Sequence, residues 1–299
     1  MLWHGSPLSV FEELSLLSFR RCGHDVEIYS YTALDVPDGV TLCDANAILR
    51  EKDAFCYTDG LAKGSFSAFS NLFRFKMLFD KGGIWSDPDV LCLRPLHTLP
   101  DASVGRVGSK NYVNGAVLKF AKGNSICGEL YEETKALDRR ISLGQTGSLI
   151  MEAVDRHPSS FNVLPSSAFY PVTWHQTWML LDPDQFEACD ALAASSYCVH
   201  WWNTAISMEI GLPKDALPPE GSFLYLAAER VFGHKNFRSW PRDTARIWID
   251  NYKLAKTYRE RKHLLDRPVT ALLKSNAGAV SADLRDLVRA ARRRLGRRH

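Results

Sequence analysis

Asp87 and Asp89 stand two residues apart with Pro88 between them. In an extended chain residues i and i+2 point to the same side, so this spacing is expected to present two carboxylates to one spot. Like charges that close raise each other's pKa unless a cation lies between them. Oxygen donors of this kind suit a hard divalent ion, Mg2+ or Mn2+, which keeps several waters and takes its remaining ligands from a phosphate. An acidic triplet with proline is, taken alone, most often a solvated turn. What sets this one apart is the stretch that leads into it.

From Gly64 to Lys81 the chain reads as a helix that is apolar nearly all round, through Phe66, Ala68, Phe69, Leu72, Phe73, Phe75, Met77, Leu78 and Phe79. Such a helix is buried rather than laid on a surface. One stripe of it is polar: Ser67, Ser70, Asn71 and Arg74, spaced i, i+3, i+4 and i+7 on a single face. A buried guanidinium is costly without an anion, so Arg74 must face something negative. Lys81 and Gly82 supply a cationic last turn and a C-cap glycine, and Ile84-Trp85-Ser86 forms a short strand running into the aspartates. Asn71 and Arg74 are thereby placed beside a site for a metal and a diphosphate.

The string SNLFRFKMLFDKGGIWSDPDV resembles the centre of the DXD-containing sugar transferases of the glycosyltransferase family 32 type, the capsular polysaccharide and α-1,4-glycosyltransferase-like proteins. Their pattern is a helix with Asp or Asn and an Arg, then Gly-Gly, an aromatic and Asp-x-Asp, matched here by Asn71, Arg74, Gly82-Gly83, Trp85 and Asp87/Asp89. The opening residues Leu2 to Gly5 and Gly23-His24 fit as well, and the resemblance extends over about residues 1 to 205. Pro88 inside the triplet and Ser148 in place of a proline after Thr146-Gly147 depart from the pattern. The resemblance implies a mixed α/β, GT-A-like doubly wound sheet with helices on both faces, followed by a helical C-terminal extension. It also implies metal-dependent transfer of a hexose from a nucleotide-diphosphate sugar to a saccharide or lipid-linked acceptor, with retention at the anomeric carbon, in surface polysaccharide or glycolipid synthesis. On this reading Asp87, Asp89 and His200 hold Mn2+ (or Mg2+), His200 coming from the segment Tyr197 to Asn203 that matches a His-x-Trp-Asn element. Trp3, Asn71, Arg74, Asp87, Asn114, Thr146 and Gly147 contact the donor, and no residue is assigned as a nucleophile.

Elsewhere, Pro7 to about Arg21 reads as a helix capped by Ser6 and ended by Gly23, between a strand end at residues 1–5 and a strand from Val26 to Tyr31. That is the first unit of a doubly wound sheet, and nucleotides bind at the carboxyl ends of such strands. Asp44–Arg50 reads as a short helix, Asn111–Phe120 as a strand with Asn114-Gly115 inside it, and Asn124 as the cap of a helix to about Arg139. Gly144-Gln145-Thr146-Gly147 opens another helix, whose first amides suit an anionic or hydroxyl-rich ligand. Residues 165–178 read as an irregular aromatic wall, and 221–232, 240–258 and 281–298 as helices. Residues 1–210 are expected to form the transferase domain and 211–299 the helical extension.

The 299 residues carry 24% charged and 45% hydrophobic side chains, as a soluble globular chain does, with no apolar run long enough to cross a bilayer. MLWHGSPLS lacks the features of a signal peptide. Seven scattered cysteines read neither as a disulfide framework nor as a zinc site, which points to a reducing cytoplasm. From Arg285 to His299 there are seven arginines and one aspartate, a net charge of +6, whereas the whole chain carries only +3. With Leu284, Leu287, Val288, Ala291 and Leu295 as an apolar stripe, segment 281–299 has the pattern either of a helix lying on an anionic membrane surface or of a solvated basic tail. There is no nucleic-acid motif. The alternatives to sugar transfer are a metal-dependent nucleotide hydrolase or nucleotidyltransferase, for which no water-activating base is evident, and a non-catalytic sugar-binding protein, which has no need of the metal set.

Overall fold

A computed structural model describes residues 1–5, 7–108, 112–233 and 237–265. The chain divides into two compact units, Met1–Ile249 and Asp250–His299. The mixed α/β class expected from the sequence is the one adopted, and helix dominates the C-terminal region. Ser6, Asn111 and the expected helix 281–298 lie outside the described residues.

The first helix, α1 (Val10–Arg21), is capped by Ser9, three residues beyond the expected cap. The reason is local: Glu12 stands at the third helical position and its carboxylate accepts from Ser9 N–H at 2.9 Å and Ser9 Oγ at 2.6 Å, a capping box. The chain start contributes an isolated parallel bridge from Leu2 to Tyr29 of β1 (Val26–Ser30), not a full strand. β1 pairs in parallel with β2 (Val40–Asp44), and short 3-10 turns at Ala45–Ala47 and Glu51–Asp53 replace the expected helix 44–50.

The central helix is α2 (Ser67–Lys81), ended by Gly82 at φ +71°. Phe69, Phe73, Phe75, Met77 and Leu78 are buried in one cluster with Trp85, Val104, Val113 and Leu118, each side chain contributing about 1.5–3 kcal/mol through removal from water. β3 (Gly83–Ser86) leaves α2 and joins a four-stranded sheet of order β3-β6-β5-β7, formed with β5 (Ser103–Arg106), β6 (Val113–Phe120) and β7 (Asn162–Leu164). β3 and β5 run antiparallel to β6, while β7 runs parallel to β5.

Val90 to Cys92 does not prolong β3. It forms a separate strand, β4 (Val90–Cys92), paired antiparallel with β8 (Cys198–His200) so that Val90 faces His200. Asp87-Pro88-Asp89 is therefore a turn between two sheets, not an extended triplet. Proline fixes φ and withholds an N–H, so it suits such a turn and cannot serve a ladder on both sides. The other edge of β4 is closed by α1: Ser15 Oγ donates to the Val90 carbonyl at 2.8 Å and Cys92 N–H donates to Ser18 Oγ at 2.9 Å. These buried serines anchor the strand that starts beside Asp89.

α3 (Ser125–Ala136) is capped by Asn124 as expected, and α4 (Gln145–Arg156) starts at Gly144. The aromatic stretch after Pro165 folds as a short helix, α5 (Ser166–Phe169), and a 3-10 helix at Trp174–Leu181. α6 (Phe186–Ala193) precedes β8, and a π-helical turn at Ala205–Ile210 follows it. α7 (Phe223–Phe232) and α8 (Arg242–Leu265) complete the described chain. All seven cysteines are free.

Candidate active site

A cavity of about 400 Å³ opens where the chain start, the N-terminal half of α2, the Asp87–Asp89 turn, the start of β6, the start of α4 and the residues after β8 converge. Every residue singled out in the sequence lines it: Trp3, Asn71, Arg74, Asp87, Asp89, Asn114, Thr146, Gly147 and His200. The whole polar stripe of α2 faces it, since Ser67 and Ser70 line it too.

Arg74 is 4% exposed and finds its anion within the protein. Its Nη2 donates to Asp87 Oδ1 at 3.2 Å, its Nε donates to the Ser70 carbonyl at 3.3 Å, and the guanidinium lies 5.3 Å from the Trp85 ring centroid. Trp85 Nε1 donates to the same Asp87 oxygen at 2.7 Å. Burial pushes the Asp87 carboxyl above the usual carboxylate range, with the Asp89 charge adding to it and the Arg74 guanidinium opposing it. β6 makes room for Arg74 at Gly115, where a Cβ would come within 2.4 Å of Nη1.

Asp89 has the opposite balance. Burial alone would raise its pKa, but the His200 ring and the Asn203 backbone N–H bring it below the usual range. His200 Nε2 lies 3.0 Å from Asp89 Oδ2, and Asn203 N–H donates to that oxygen at 2.8 Å. Two aspartates two residues apart are thus held by different partners, one by α2 and β3, the other by the end of β8 and the segment after it.

The donor set, two carboxylates and an imidazole, fits a hard divalent ion chemically. Among the described residues, however, no three His, Cys, Asp or Glu side chains form a ready-made metal cage. Asp89 and His200 Nε2 are closed on each other, so Nε2 reaches an ion only by releasing Asp89. An ion here must take most of its coordination from phosphate and water, as Mg2+ and Mn2+ commonly do.

Three buried polar atoms of cavity residues have no partner among the described residues: His200 Nδ1, Thr146 Oγ1 and Asn203 Oδ1. Buried polar groups are nearly always satisfied, so these three are places for ligand or water contacts. Asn114 Oδ1, by contrast, accepts from Ala116 N–H at 2.7 Å, next to the register shift between β5 and β6, which leaves only its amide nitrogen for a ligand. Gly147 has a packing role of its own. A Cβ there would meet the Val113 carbonyl at 2.3 Å and the Tyr112 ring at 2.5 Å, so the glycine lets α4 approach β6.

Sequence reasoning passed over Tyr57, whose buried hydroxyl accepts from Asn71 Nδ2 at 2.9 Å, and His4, whose ring stacks on Phe66 at 4.1 Å. It also passed over Tyr112, which lies in the cavity wall. The first sits in a polar loop with no periodicity to mark it.

Comparison with known proteins bears on what such a cavity does. Residues 27–105 match the glycosyltransferase sugar-binding region containing the DXD motif, and residues 146–214 match the alpha 1,4-glycosyltransferase conserved region. Both matches are to glycosyltransferases. The resemblance read from residues 64–90 is borne out, and the matched glycosyltransferase regions contain Asn71, Arg74, Asp87, Asp89, Thr146, Gly147 and His200. They support sugar transfer as the activity, a nucleotide-sugar donor with an acceptor as the substrates, and a divalent metal as the usual companion of a DXD region. A solved PaToxG glycosyltransferase shares 16% identity, covering 53% of this chain and 69% of its own, with a TM-score of 0.41. No curated protein matches the chain significantly.

Proposed function

We propose that the protein transfers a hexose from a nucleotide-diphosphate sugar to a saccharide or lipid-linked acceptor, with retention of configuration, in surface polysaccharide or glycolipid synthesis. The observation that carries this is the convergence in one cavity of nine residues drawn from sequence positions 3 to 200. Chance packing does not bring an acidic pair, a buried arginine and a distant histidine to the same wall.

Trp3 is the platform for the base, its ring backed by the Lys214 ammonium at 5.6 Å. Asn71, with Tyr57 behind it, and the amide of Asn114 address sugar hydroxyls, together with Thr146 Oγ1 and the first amides of α4 at Gly147. Asp87 reaches the ribose side while it fixes the Arg74 guanidinium, which is the cation for the diphosphate or the sugar. Asp87 and Asp89 are the carboxylates for Mn2+, and His200 orients Asp89 and stands ready as a further ligand. When bound, a divalent ion neutralises the charge that grows on the departing diphosphate. No side chain is assigned as nucleophile.

We place the transferase within residues 1–210, with 211–299 as an extension. Among the described residues no helix is long and apolar enough to cross a membrane. The basic segment 281–299 is proposed to touch an anionic, cytoplasm-facing membrane surface.

The test is a panel of nucleotide sugars with and without Mn2+, reading release of nucleoside diphosphate, alongside calorimetric titration of Mn2+. Turnover of one donor that depends on the metal and disappears in Asp89→Asn is expected. Absence of turnover with every donor, together with absence of Mn2+ binding, overturns the reading, and wild-type transfer by Asp89→Asn overturns the metal assignment.

A further inference from the structure

Trp202 has φ +55°, a left-handed backbone that a bulky aromatic residue rarely adopts. Such outliers persist where the surroundings over-determine them, and they gather at functional sites. Here the surroundings are specific. The indole N–H donates to the Val172 carbonyl at 2.9 Å, and the ring packs between Tyr170 and Trp174, each with its centroid 5.8 Å away. The ring also lies on His200, with centroids 4.1 Å apart and planes inclined at 39°.

The turn at Trp202 aims its neighbours at one residue. Trp201 N–H donates to the Asp89 carbonyl at 3.1 Å, Asn203 N–H donates to Asp89 Oδ2 at 2.8 Å, and His200 Nε2 meets the same Oδ2 at 3.0 Å. A right-handed or extended Trp202 would send Asn203 elsewhere, because reversing φ at one residue redirects the next N–H. Since its indole N–H is committed to Val172, the ring of Trp202 acts through His200 and not as a hydrogen-bond donor to a ligand.

We infer that Trp202 is a positioning residue: its left-handed backbone and its ring, packed against the imidazole, hold His200 and Asn203 on one oxygen of Asp89 before any ligand arrives. The other carboxylate oxygen is thereby left for what binds in the cavity. The inference uses the proposed role of Asp89 only to say what the positioning serves; the positioning itself is a property of the protein alone.

The experiment is nitrogen-15 NMR of the imidazoles in protein free of metal and donor, with the His200 signals assigned by their absence in His200→Gln. The native protein should show one fixed His200 tautomer, protonated at Nε2. Trp202→Gly accepts the positive φ but removes the ring, and should give averaged tautomer signals. Trp202→Phe keeps an aromatic ring on the imidazole and should restore the fixed tautomer. Should the glycine variant not fold, Trp202→Asn, whose short side chain also tolerates positive φ, takes its place. Titration with Mn2+ alone should show affinity about tenfold weaker in the ringless variant, the scale typical of residues that orient a metal ligand, and near native in Trp202→Phe. A native His200 spectrum in the ringless variant overturns the inference, as does a folded Trp202→Phe that behaves like the ringless one. The spectra need no turnover, so failure of the sugar-transfer reading would be seen separately in the donor panel.

Discussion

Removing either partner of the Arg74–Asp87 pair should reveal how the site is held together. The guanidinium is 4% exposed and stands 3.2 Å from the Asp87 carboxylate. At an effective dielectric of about 20 the gross attraction is roughly 5 kcal/mol. Most of that offsets the desolvation of two charges, so the intact pair adds little net stability. Breaking it is different, because an unpaired buried charge costs about 3–5 kcal/mol. Asp87→Asn keeps the shape and an acceptor for Trp85 Nε1, but leaves Arg74 facing a neutral amide. We expect it to lose about 3–5 kcal/mol, read by urea unfolding at pH 7, and roughly 6–20 °C in Tm for a domain of this size. Arg74→Met should lose less, about 1–3 kcal/mol. Asp87 there keeps the Trp85 N–H and has the milder option of taking up a proton. The double variant should be less destabilised than the two single losses added together, by about 0.5–3 kcal/mol. A loss below about 1 kcal/mol in Asp87→Asn, or strict additivity, would refute the view that this pair is a buried, mutually dependent unit.

The two aspartates should act differently on stability against pH. Asp89 titrates below its unfolded value, so it adds stability above about pH 4 that is lost as pH falls through its lower folded pKa. Burial lifts the Asp87 carboxyl instead of lowering it, so Asp87 causes no fall of stability on the acid side. Asp89→Asn should therefore lose the acid-side fall in stability that Asp89 causes, and Asp87→Asn should not; identical acid limbs in wild type and Asp89→Asn would count against this assignment. Tyr57→Phe leaves Asn71 Nδ2 buried without its acceptor and should cost about 1–3 kcal/mol, with donor KM raised more than kcat is lowered. An unchanged KM would separate Tyr57 from donor binding.

Much of the site could be read in one dimension because its determinants are local. The i, i+3, i+4, i+7 polar stripe of α2, the demand of Arg74 for an anion, the stop at Gly82 and the Asn124 cap all depend on residues within a few turns, and each is in place. The first helix starts three residues later than a cap at Ser6 predicts, because of the two serines only Ser9 has a glutamate at the third helical position. The first strand-helix-strand unit was legible in the pattern, and the resemblance around residues 64–90 implied the mixed α/β class. How the strands are shared among three sheets could not, since pairing is a contact between distant segments.

What the sequence determined by itself was the inventory: two carboxylates, a buried cation that requires an anion, an amide-rich helix start, and a histidine among tryptophans. What the tertiary structure decided was who partners whom. The turn at Pro88 sends Asp87 and Asp89 to different sheets, so Arg74 takes Asp87 as its counter-ion while β8 delivers His200 and Asn203 to Asp89, more than a hundred residues away in the chain. Spacing along a strand predicts that two side chains share a side, but it does not foresee that the strand ends between them. That outcome depends on the β4–β8 register and on the α1 serines that close the free edge of β4, contacts that exist only once the chain has closed on itself.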